Sequence, residues 1–262
     1  MPPDCDLSTR SDHHPSPEVI FFDAVGTLFG IRGTVGGIYA EAAESFGINV
    51  DAAQLDRAFY RTFGAAPPAA FPGVDRAQLP QSEKAWWRQV VQGSFQQVGI
   101  RVPDEFPRFE ACFEQVYELF ATAAPWQLYD ETLEVLHNLT QKGIRLGLIS
   151  NFDTRLYPVL EALSLDAFFS PPQVTLSTVV GAAKPDRQVF VAALAQQGIP
   201  VDQAGRALHL GDSLRQDYQG AREAGLRGLW LNRAGEPGIP GLPETAIISN
   251  LREIENLLEH SP

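Results

Sequence analysis

Two runs of apolar residues in this sequence end on an aspartate, the position at which a parallel sheet presents groups to a ligand. Asp23 follows the run 19–22, and Asp212 follows the run 207–210, with Asp217 five residues further on. An aspartate can act as a covalent nucleophile toward a phosphoryl group, and several carboxylates together offer the oxygen ligands that Mg²⁺ prefers. Because the carboxyl ends of parallel strands meet at one edge of the sheet, we expect the three aspartates to share one cation.

Two stretches between these aspartates carry polar groups in comparable positions. The apolar run 144–149 ends in Ser150 and Asn151, and Lys184 precedes a Pro-Asp pair at the start of a predicted helix. The order Asp, Ser-Asn, Lys and Gly-Asp-x-x-x-x-Asp on successive β-α units resembles the haloacid dehalogenase (HAD) superfamily of hydrolases. The resemblance covers residues 18–233 and implies a Mg²⁺-dependent hydrolase.

The resemblance implies a function for each of these side chains. Asp23 is the expected nucleophile, which would form an aspartyl-phosphate, and Lys184 would supply positive charge to it and to the phosphate. Thr27, Ser150 and Asn151 would donate to phosphate oxygens, although serine and threonine at such positions are also ordinary helix caps. The expected partner is a small phosphorylated metabolite as substrate.

The resemblance also implies the metal ligands. Asp23, Asp212 and Asp217 would hold Mg²⁺ together with the backbone carbonyl of Val25. A backbone oxygen is present whatever the side chain, so a valine at this position still meets that requirement.

Val25 is nevertheless where the sequence departs from the phosphatases of the superfamily. They carry a second aspartate at this position, which protonates the leaving oxygen and then activates the hydrolytic water. General acid–base catalysis of this kind is typically worth ~10²–10⁴-fold. We therefore expect slow turnover of alkyl phosphates unless another group replaces it.

Three alternatives stay open because of Val25. A 2-haloacid dehalogenase needs no proton for its leaving halide, but those enzymes lack the metal carboxylate that corresponds to Asp212. A phosphonate-cleaving enzyme would use Lys84 as a Schiff base, although the sequence around Lys84 is that of a surface helix start. A binding or regulatory module would keep the metal site without turnover.

The elements that must position these residues alternate between strand and helix outside one long stretch. An α/β fold with a Rossmann-like parallel sheet, covered on both faces, is expected for residues 18–32 and 121–262. Residues 33–120 show helical spacing, with Pro80 interpreted as one of the helix breaks, and are predicted to form an inserted all-α cap domain. Predicted helices span 34–46, 51–63, 82–98, 104–121, 130–142, 153–163, 185–197 and 214–224; predicted strands include 144–149, 207–210 and 226–231; and residues 29–33 are interpreted as a flexible connection.

Several other residues have interpretations of their own. Trp86, Trp87 and Phe95 are predicted to form the core of the cap rather than to line a pocket, because adjacent helical positions cannot both face one site. Asp153 is predicted to cap a helix, and Arg32 is a candidate substrate contact.

Composition excludes some classes of partner. The 262 residues carry a net charge of −12 and are 44% hydrophobic, with three lysines in all, so neither nucleic acid nor an anionic membrane is expected as a partner. Cys5 and Cys112 are too few for a disulfide framework, and no span or signal peptide is found. A cytoplasmic protein, monomeric or weakly dimeric, is predicted, with residues 1–17 as a disordered tail in which His13-His14 is solvated.

Overall fold

A six-stranded parallel sheet forms the centre of the molecule in the computed structural model, which describes residues 16–259. The strands found within these residues are β1 (Val19–Phe22), β2 (Phe29–Ile31), β3 (Trp126–Leu128), β4 (Arg145–Ser150), β5 (Val174–Leu176), β6 (Ala207–Gly211), β7 (Arg227–Leu231) and β8 (Ile247–Ile248). Six of them form the sheet, in the order β5-β4-β1-β6-β7-β8. The predicted tail, residues 1–17, lies almost wholly outside the described residues, and the His13-His14 pair lies wholly outside them.

Strand β1 lies at the middle of the sheet, between β4 and β6. All four of its residues are buried, and alternate side chains pack into two hydrophobic cores on opposite faces. The register pairs Phe22 with both Leu148 and Leu210. The residues that follow these three strands therefore meet at one edge of the sheet.

Helices cover both faces of this sheet, as its continuous apolar strands require. The α-helices found within residues 16–259 are α1 (Val35–Ser45), α2 (Ala52–Ala65), α3 (Leu79–Gln97), α4 (Phe109–Leu119), α5 (Thr132–Gln141), α6 (Leu156–Ala162), α7 (Ser177–Val180), α8 (Arg187–Gln196), α9 (Gly220–Ala224) and α10 (Glu253–Glu259). Helices α5, α6 and α10 pack into the core on one face, and α8 and α9 into the core on the other. The predicted α/β class is confirmed.

Helices α1 to α4 follow one another without an intervening strand, and we call them the helical segment. Most predicted helix bounds in this segment hold within about two residues, but α3 begins at Leu79, earlier than predicted. Pro80 was interpreted as a helix break, whereas it lies in the first turn, where the missing N–H costs nothing. Helix α4 begins only at Phe109, because residues 101–108 form turns.

The connection predicted to be flexible is instead a strand. Strand β2 pairs with β3 in an antiparallel ribbon that joins Phe29 to Leu128 and Ile31 to Trp126. The ribbon lies at the two ends of the helical segment, so entry and exit of that segment are tied together. The sequence did not predict this strand because its three residues include a glycine and show no alternation of apolar and polar side chains. Its partner strand also lies about 100 positions away in sequence.

Two predicted helices of the sheet region also differ. Helix α6 starts at Leu156 rather than at Asp153, and the predicted helix 214–224 divides into a π-helix, Leu214–Gln219, and α9. Across residues 16–259, no helix is both long enough and apolar enough to cross a membrane.

Candidate active site

Three aspartates meet at the edge of the sheet where β1 and β6 end. One carboxylate oxygen from each of Asp23, Asp212 and Asp217 lies within 4.8 Å of the others. The backbone N–H of Asp23 donates to the Leu210 carbonyl at 2.8 Å, which continues the pairing of β1 with β6 past the end of the strand. The Asp212 carbonyl accepts a hydrogen bond from the buried indole of Trp230 at 2.9 Å, which orients the tip of β6.

Two glycines allow this close approach of the carboxylates. Gly26 has a φ of +91°, and a Cβ on it would lie 2.2 Å from Asp212 Oδ2. A Cβ on Gly211 would lie 2.2 Å from the Asp217 carboxyl carbon. Any larger residue at either position would displace an aspartate, so both glycines are required by the site itself.

Lys184 supplies the positive charge of this group. Its Nζ donates to Asp23 Oδ1 at 2.7 Å and to Asp217 Oδ1 at 2.6 Å, and the side chain is buried. We call Asp23, Asp212, Asp217 and Lys184 the aspartate cluster. The structure thus brings together the four side chains predicted to hold a cation and perform the first chemical step.

His209 is a member of this site that sequence reasoning missed. Its ring is fully buried, and its Nε2 lies 2.9 Å from Asp217 Oδ1. A carboxylate only accepts hydrogen bonds, so Nε2 carries the proton that it donates to Asp217, and burial lowers the pKa of His209. The signal was a histidine inside an otherwise apolar strand, since buried histidines require a partner.

The charge of the aspartate cluster is unbalanced. Burial raises the pKa of Asp23 in spite of the attraction of Lys184. The pKa of Asp212 is raised to about 7, because protein displaces water on the side facing the cluster and because Asp23 and Asp217 repel it. Burial alone would raise the pKa of Asp217, but Lys184 and His209 hold it well below its usual range. Burial alone would lower the pKa of Lys184, yet its aspartate partners raise it.

These residues fit a hard divalent cation. Three carboxylates face one amine, so that when all three are ionised two negative charges have no partner in the group. Both Asp217 oxygens already accept hydrogen bonds, since Oδ2 accepts from the Ser213 N–H at 2.9 Å. Asp23 and Asp212 therefore have the freer oxygens, and Asp217 orients Lys184.

The predicted phosphate-binding residues have different surroundings. Thr27 and Ser150 are buried, and the Thr27 hydroxyl has no hydrogen-bond partner within residues 16–259. The amide of Asn151 is instead engaged by the backbone of Lys184. Its Oδ1 accepts from the Lys184 N–H at 2.7 Å, and its Nδ2 donates to the Lys184 carbonyl at 3.0 Å. Its side chain therefore positions Lys184, and a contact of Asn151 with phosphate stays a prediction.

Val25 lies in the turn that follows Asp23, as the sequence predicts. The turn is closed by hydrogen bonds from Gly26 N–H to the Phe29 carbonyl at 2.8 Å and from Leu28 N–H to the Ala24 carbonyl at 2.9 Å. Val25 is half-buried and packs on the hydrophobic core. Its side chain has no group that could transfer a proton.

Other candidate residues have contacts away from the aspartates. The Lys84 amine forms a partly exposed ion pair with Glu114, another residue of the helical segment. This pairing argues against a Schiff base at Lys84. The guanidinium of Arg32 donates to the Trp126 carbonyl at 3.3 Å. Cys112 is buried among apolar side chains, and burial raises the pKa of its thiol to about 11, so it is no nucleophile.

Two of the residues predicted to form the core of the helical segment, Phe95 and Trp87, differ in their surroundings. Phe95 is fully buried in its core, as predicted. Trp87 is half-buried and reaches out of the segment, since its indole N–H donates to Asp153 Oδ2 at 2.5 Å. Asp153 does accept from the Arg155 N–H, as a residue before a helix often does, but it also pairs with the Arg155 guanidinium.

Comparisons with known proteins identify the family of this chain. Residues 17–225 match the family model of haloacid dehalogenase-like hydrolases. Haloacid dehalogenase-like hydrolase domain-containing protein 3 of Danio rerio is 30% identical over 243 residues, which cover 92% of this chain and 96% of that protein.

Solved structures show the same fold. The HAD-hydrolase YfnB from Bacillus subtilis, solved bound to magnesium, has a TM-score of 0.65 at 21% identity and covers 93% of this chain and 99% of its own. The 2-haloacid dehalogenase from Pseudomonas syringae has a TM-score of 0.64 at 22% identity, with 94% of this chain and 100% of its own covered.

Proposed function

Because this chain belongs to the haloacid dehalogenase-like hydrolase family, we propose that it is a Mg²⁺-dependent phosphomonoesterase that acts on a small phosphorylated metabolite. The observation that carries the proposal is the aspartate cluster, in which three carboxylates face one buried amine. A divalent cation would balance this charge. The magnesium bound to the related YfnB fold supports Mg²⁺ as that cation.

Asp23, Asp212 and the Val25 backbone carbonyl would hold the ion, with Asp217 contributing charge from behind. When bound, Mg²⁺ would neutralise the negative charge that gathers between the carboxylates and a phosphate ester. Lys184 holds Asp23 Oδ1 at 2.7 Å, which orients the carboxylate and leaves Oδ2 as the attacking oxygen. The ammonium also stabilises charge on the transferring phosphoryl group.

The reaction would proceed in two steps on Asp23. Asp23 Oδ2 attacks phosphorus, the bond from phosphorus to the ester oxygen breaks, and the leaving alcohol takes its proton from solvent. Water then attacks the aspartyl-phosphate, which releases inorganic phosphate and regenerates the carboxylate. The unpartnered hydroxyl of Thr27 and the hydroxyl of Ser150 would donate to the phosphoryl oxygens, and the helical segment would act as a cap over the site.

Val25 limits the substrates that fit this mechanism. Without a general acid at this position, an alkoxide leaves slowly, and the missing assistance is typically ~10²–10⁴-fold. We therefore expect esters with good leaving groups, such as aryl phosphates, to be hydrolysed faster than alkyl phosphates.

A 2-haloacid dehalogenase is the second candidate, and the apolar side chain of Val25 favours it because halide leaves unprotonated. The fold of the Pseudomonas syringae dehalogenase is close. The crowding of Asp212 against Asp23 and Asp217 speaks against it, because a dehalogenase has no need for the resulting negative charge.

One experiment separates these functions. Phosphate release from a panel of esters is measured with and without Mg²⁺, and chloride release from 2-chloropropionate is measured without metal. Mg²⁺-dependent phosphate release supports the proposal, and metal-independent chloride release would replace it with the dehalogenase. Neither release, with Mg²⁺ or phosphate still bound in calorimetry, would indicate a binding module without turnover.

A further inference from the structure

A second group of buried polar side chains lies where α3 meets the loop that follows β4. We call it the interface cluster, and its members are Glu83, Asp153, Thr154, Arg155 and Thr178. Glu83 and Asp153 are each only 1% exposed. The cluster joins the helical segment to the sheet, and the reaction described above does not use it.

The carboxylate of Glu83 crosses from α3 to the sheet side. Its Oε1 accepts from the Thr154 N–H at 3.0 Å and from the Thr178 hydroxyl at 2.6 Å, and its Oε2 accepts from the Thr154 hydroxyl. Burial raises the pKa of Glu83, while these hydrogen bonds act in the opposite direction. Three donors on one carboxylate are the compensation that a buried charge needs.

Trp87 makes a second connection from the same helix. Its indole N–H donates to Asp153 Oδ2 at 2.5 Å, and the Arg155 guanidinium bonds the same carboxylate at 2.6 Å. Arg155 also lies over the Tyr117 ring, 3.8 Å from its centroid. Glu83 and Trp87 are four residues apart and therefore share one face of α3.

The loop held in this way is the loop that carries the expected phosphate-binding residues. Ser150 ends β4, Asn151 follows it, and Thr154 lies three residues later. Asn151 in turn bonds both the N–H and the carbonyl of Lys184. Glu83 therefore bonds one end of this loop at Thr154, and Asn151 at the other end bonds the backbone of Lys184, whose amine meets Asp23.

We propose that Glu83 and Trp87 are positioning residues that hold the loop 150–155, and through Asn151 the backbone of Lys184, in the conformation that binds phosphate. The helical segment then builds part of the phosphate site in addition to covering it. This inference rests on the proposed function, because it takes the loop to be a phosphate-binding loop.

The test compares Glu83→Gln and Trp87→Phe with the control Glu110→Gln. Glu110 is an exposed carboxylate of α4 that pairs with Arg88 of the same helix α3 and is not bonded to the loop. In both test variants we expect amide hydrogen exchange of residues 150–155 to speed up by about tenfold. A tenfold change corresponds to the free energy lost when one or two buried hydrogen bonds are removed. The control should match the wild type.

Binding and kinetics give the second measurement. The Kd of inorganic phosphate in the presence of Mg²⁺ should rise about tenfold in the test variants, and KM should rise more than kcat falls. A merely structural defect would reduce the fraction of active enzyme, which lowers kcat and leaves KM unchanged. If Glu83→Gln fails to fold, Thr178→Val removes a single donor and tests the same contact.

Wild-type exchange rates in both test variants would overturn the proposal, as would an equal change in the control. If the wild type binds no phosphate, the proposed function fails, and the exchange measurement alone then decides whether Glu83 and Trp87 hold the loop.

Discussion

The aspartate cluster and the interface cluster are both groups of buried carboxylates, and they differ in how far their charge is balanced. In the interface cluster Asp153 faces Arg155, and Glu83 accepts three hydrogen bonds. In the aspartate cluster three carboxylates share the amine of Lys184. The first has all its partners within the chain, whereas under the proposed function the second would be completed by an added cation.

Burial therefore does not by itself identify a functional site in this molecule. Glu83 is as buried as Asp217, yet its carboxylate accepts three hydrogen bonds, whereas Asp212 lies against two further carboxylates. Burial, and then repulsion from Asp23 and Asp217, raises the pKa of Asp212 to about 7, although its side chain also reaches solvent. Uncompensated charge with access from outside is what indicates a ligand site here.

The largest expected effect comes from the nucleophile. Asp23→Asn removes the attacking oxygen anion, so phosphate release should fall by at least about 10⁴-fold, and mass spectrometry should detect no phosphorylated protein. Asp153→Asn, in the interface cluster, should still form the phosphorylated protein. A phosphorylated adduct on the Asp23→Asn variant would refute the assignment of the nucleophile.

The amine comes next. Lys184→Met leaves Asp23 and Asp217 buried without their counter-charge, and breaking a buried pair in this way costs about 3–5 kcal/mol. Urea unfolding without metal should show this loss, and added Mg²⁺ should restore part of it. Lys84→Met, whose amine pairs with Glu114 at the surface, should cost less than about 1 kcal/mol. Equal losses for the two lysines would contradict the contrast between buried and exposed pairs.

Adding a carboxylate should act in the opposite direction on catalysis. Val25→Asp places a fourth carboxylate in the turn after Asp23, and if proton transfer limits turnover, hydrolysis of an alkyl phosphate should rise by about 10²-fold. Val25→Asn, similar in size but unable to transfer a proton in the same way, should leave the rate unchanged. An unchanged rate in both variants would mean that another group already transfers the proton.

The smallest expected effect concerns the stability of the metal-free protein. The pKa of Asp212 rises on folding from its ordinary value of 3.8 to about 7, so the folded chain binds this proton more tightly than the unfolded chain does. The stability that protonated Asp212 contributes is therefore lost as the pH rises from 3.8 through about 7. Asp212→Asn should remove that loss and stabilise the metal-free protein at pH 8 by about 1 kcal/mol, after discounting for exposure.

Denaturant unfolding at pH 5 and pH 8 in the presence of a chelator measures this difference. Glu83→Gln should not stabilise the protein at pH 8, since Glu83 is compensated by its three donors. If Asp212→Asn destabilised the metal-free protein, the charge in the aspartate cluster would have to be balanced already.

Much of the sheet and of the aspartate cluster could be predicted from the sequence. Short apolar runs that end in Asp23, Ser150 and Asp212 mark strand ends, and the parallel arrangement then brings these ends to one edge. The β2–β3 ribbon could not be predicted in this way, because each strand has three residues and its partner lies far along the chain. Pro80 was misread because a proline ends one helix and begins another equally well.

The hydrogen-bond partners of individual polar side chains could not be predicted from the sequence either. Asn151 has the right type and place for a phosphate contact, but its amide is bonded to the backbone of Lys184. Trp87 looked like the core of the helical segment, and its indole N–H bonds Asp153 across the interface. A residue type limits which bonds a side chain can make, and packing decides which of them form.

By itself, the sequence determined which carboxylates and which amine stand at the ends of buried strands and helices, because apolar runs and their polar ends are local features. Only the tertiary structure decided that Lys184 meets Asp23, 161 positions away, that His209 supports Asp217, and that Glu83 holds Thr154 across 71 positions. Those contacts depend on how the helical segment and the sheet pack together, and packing is a property of the whole chain.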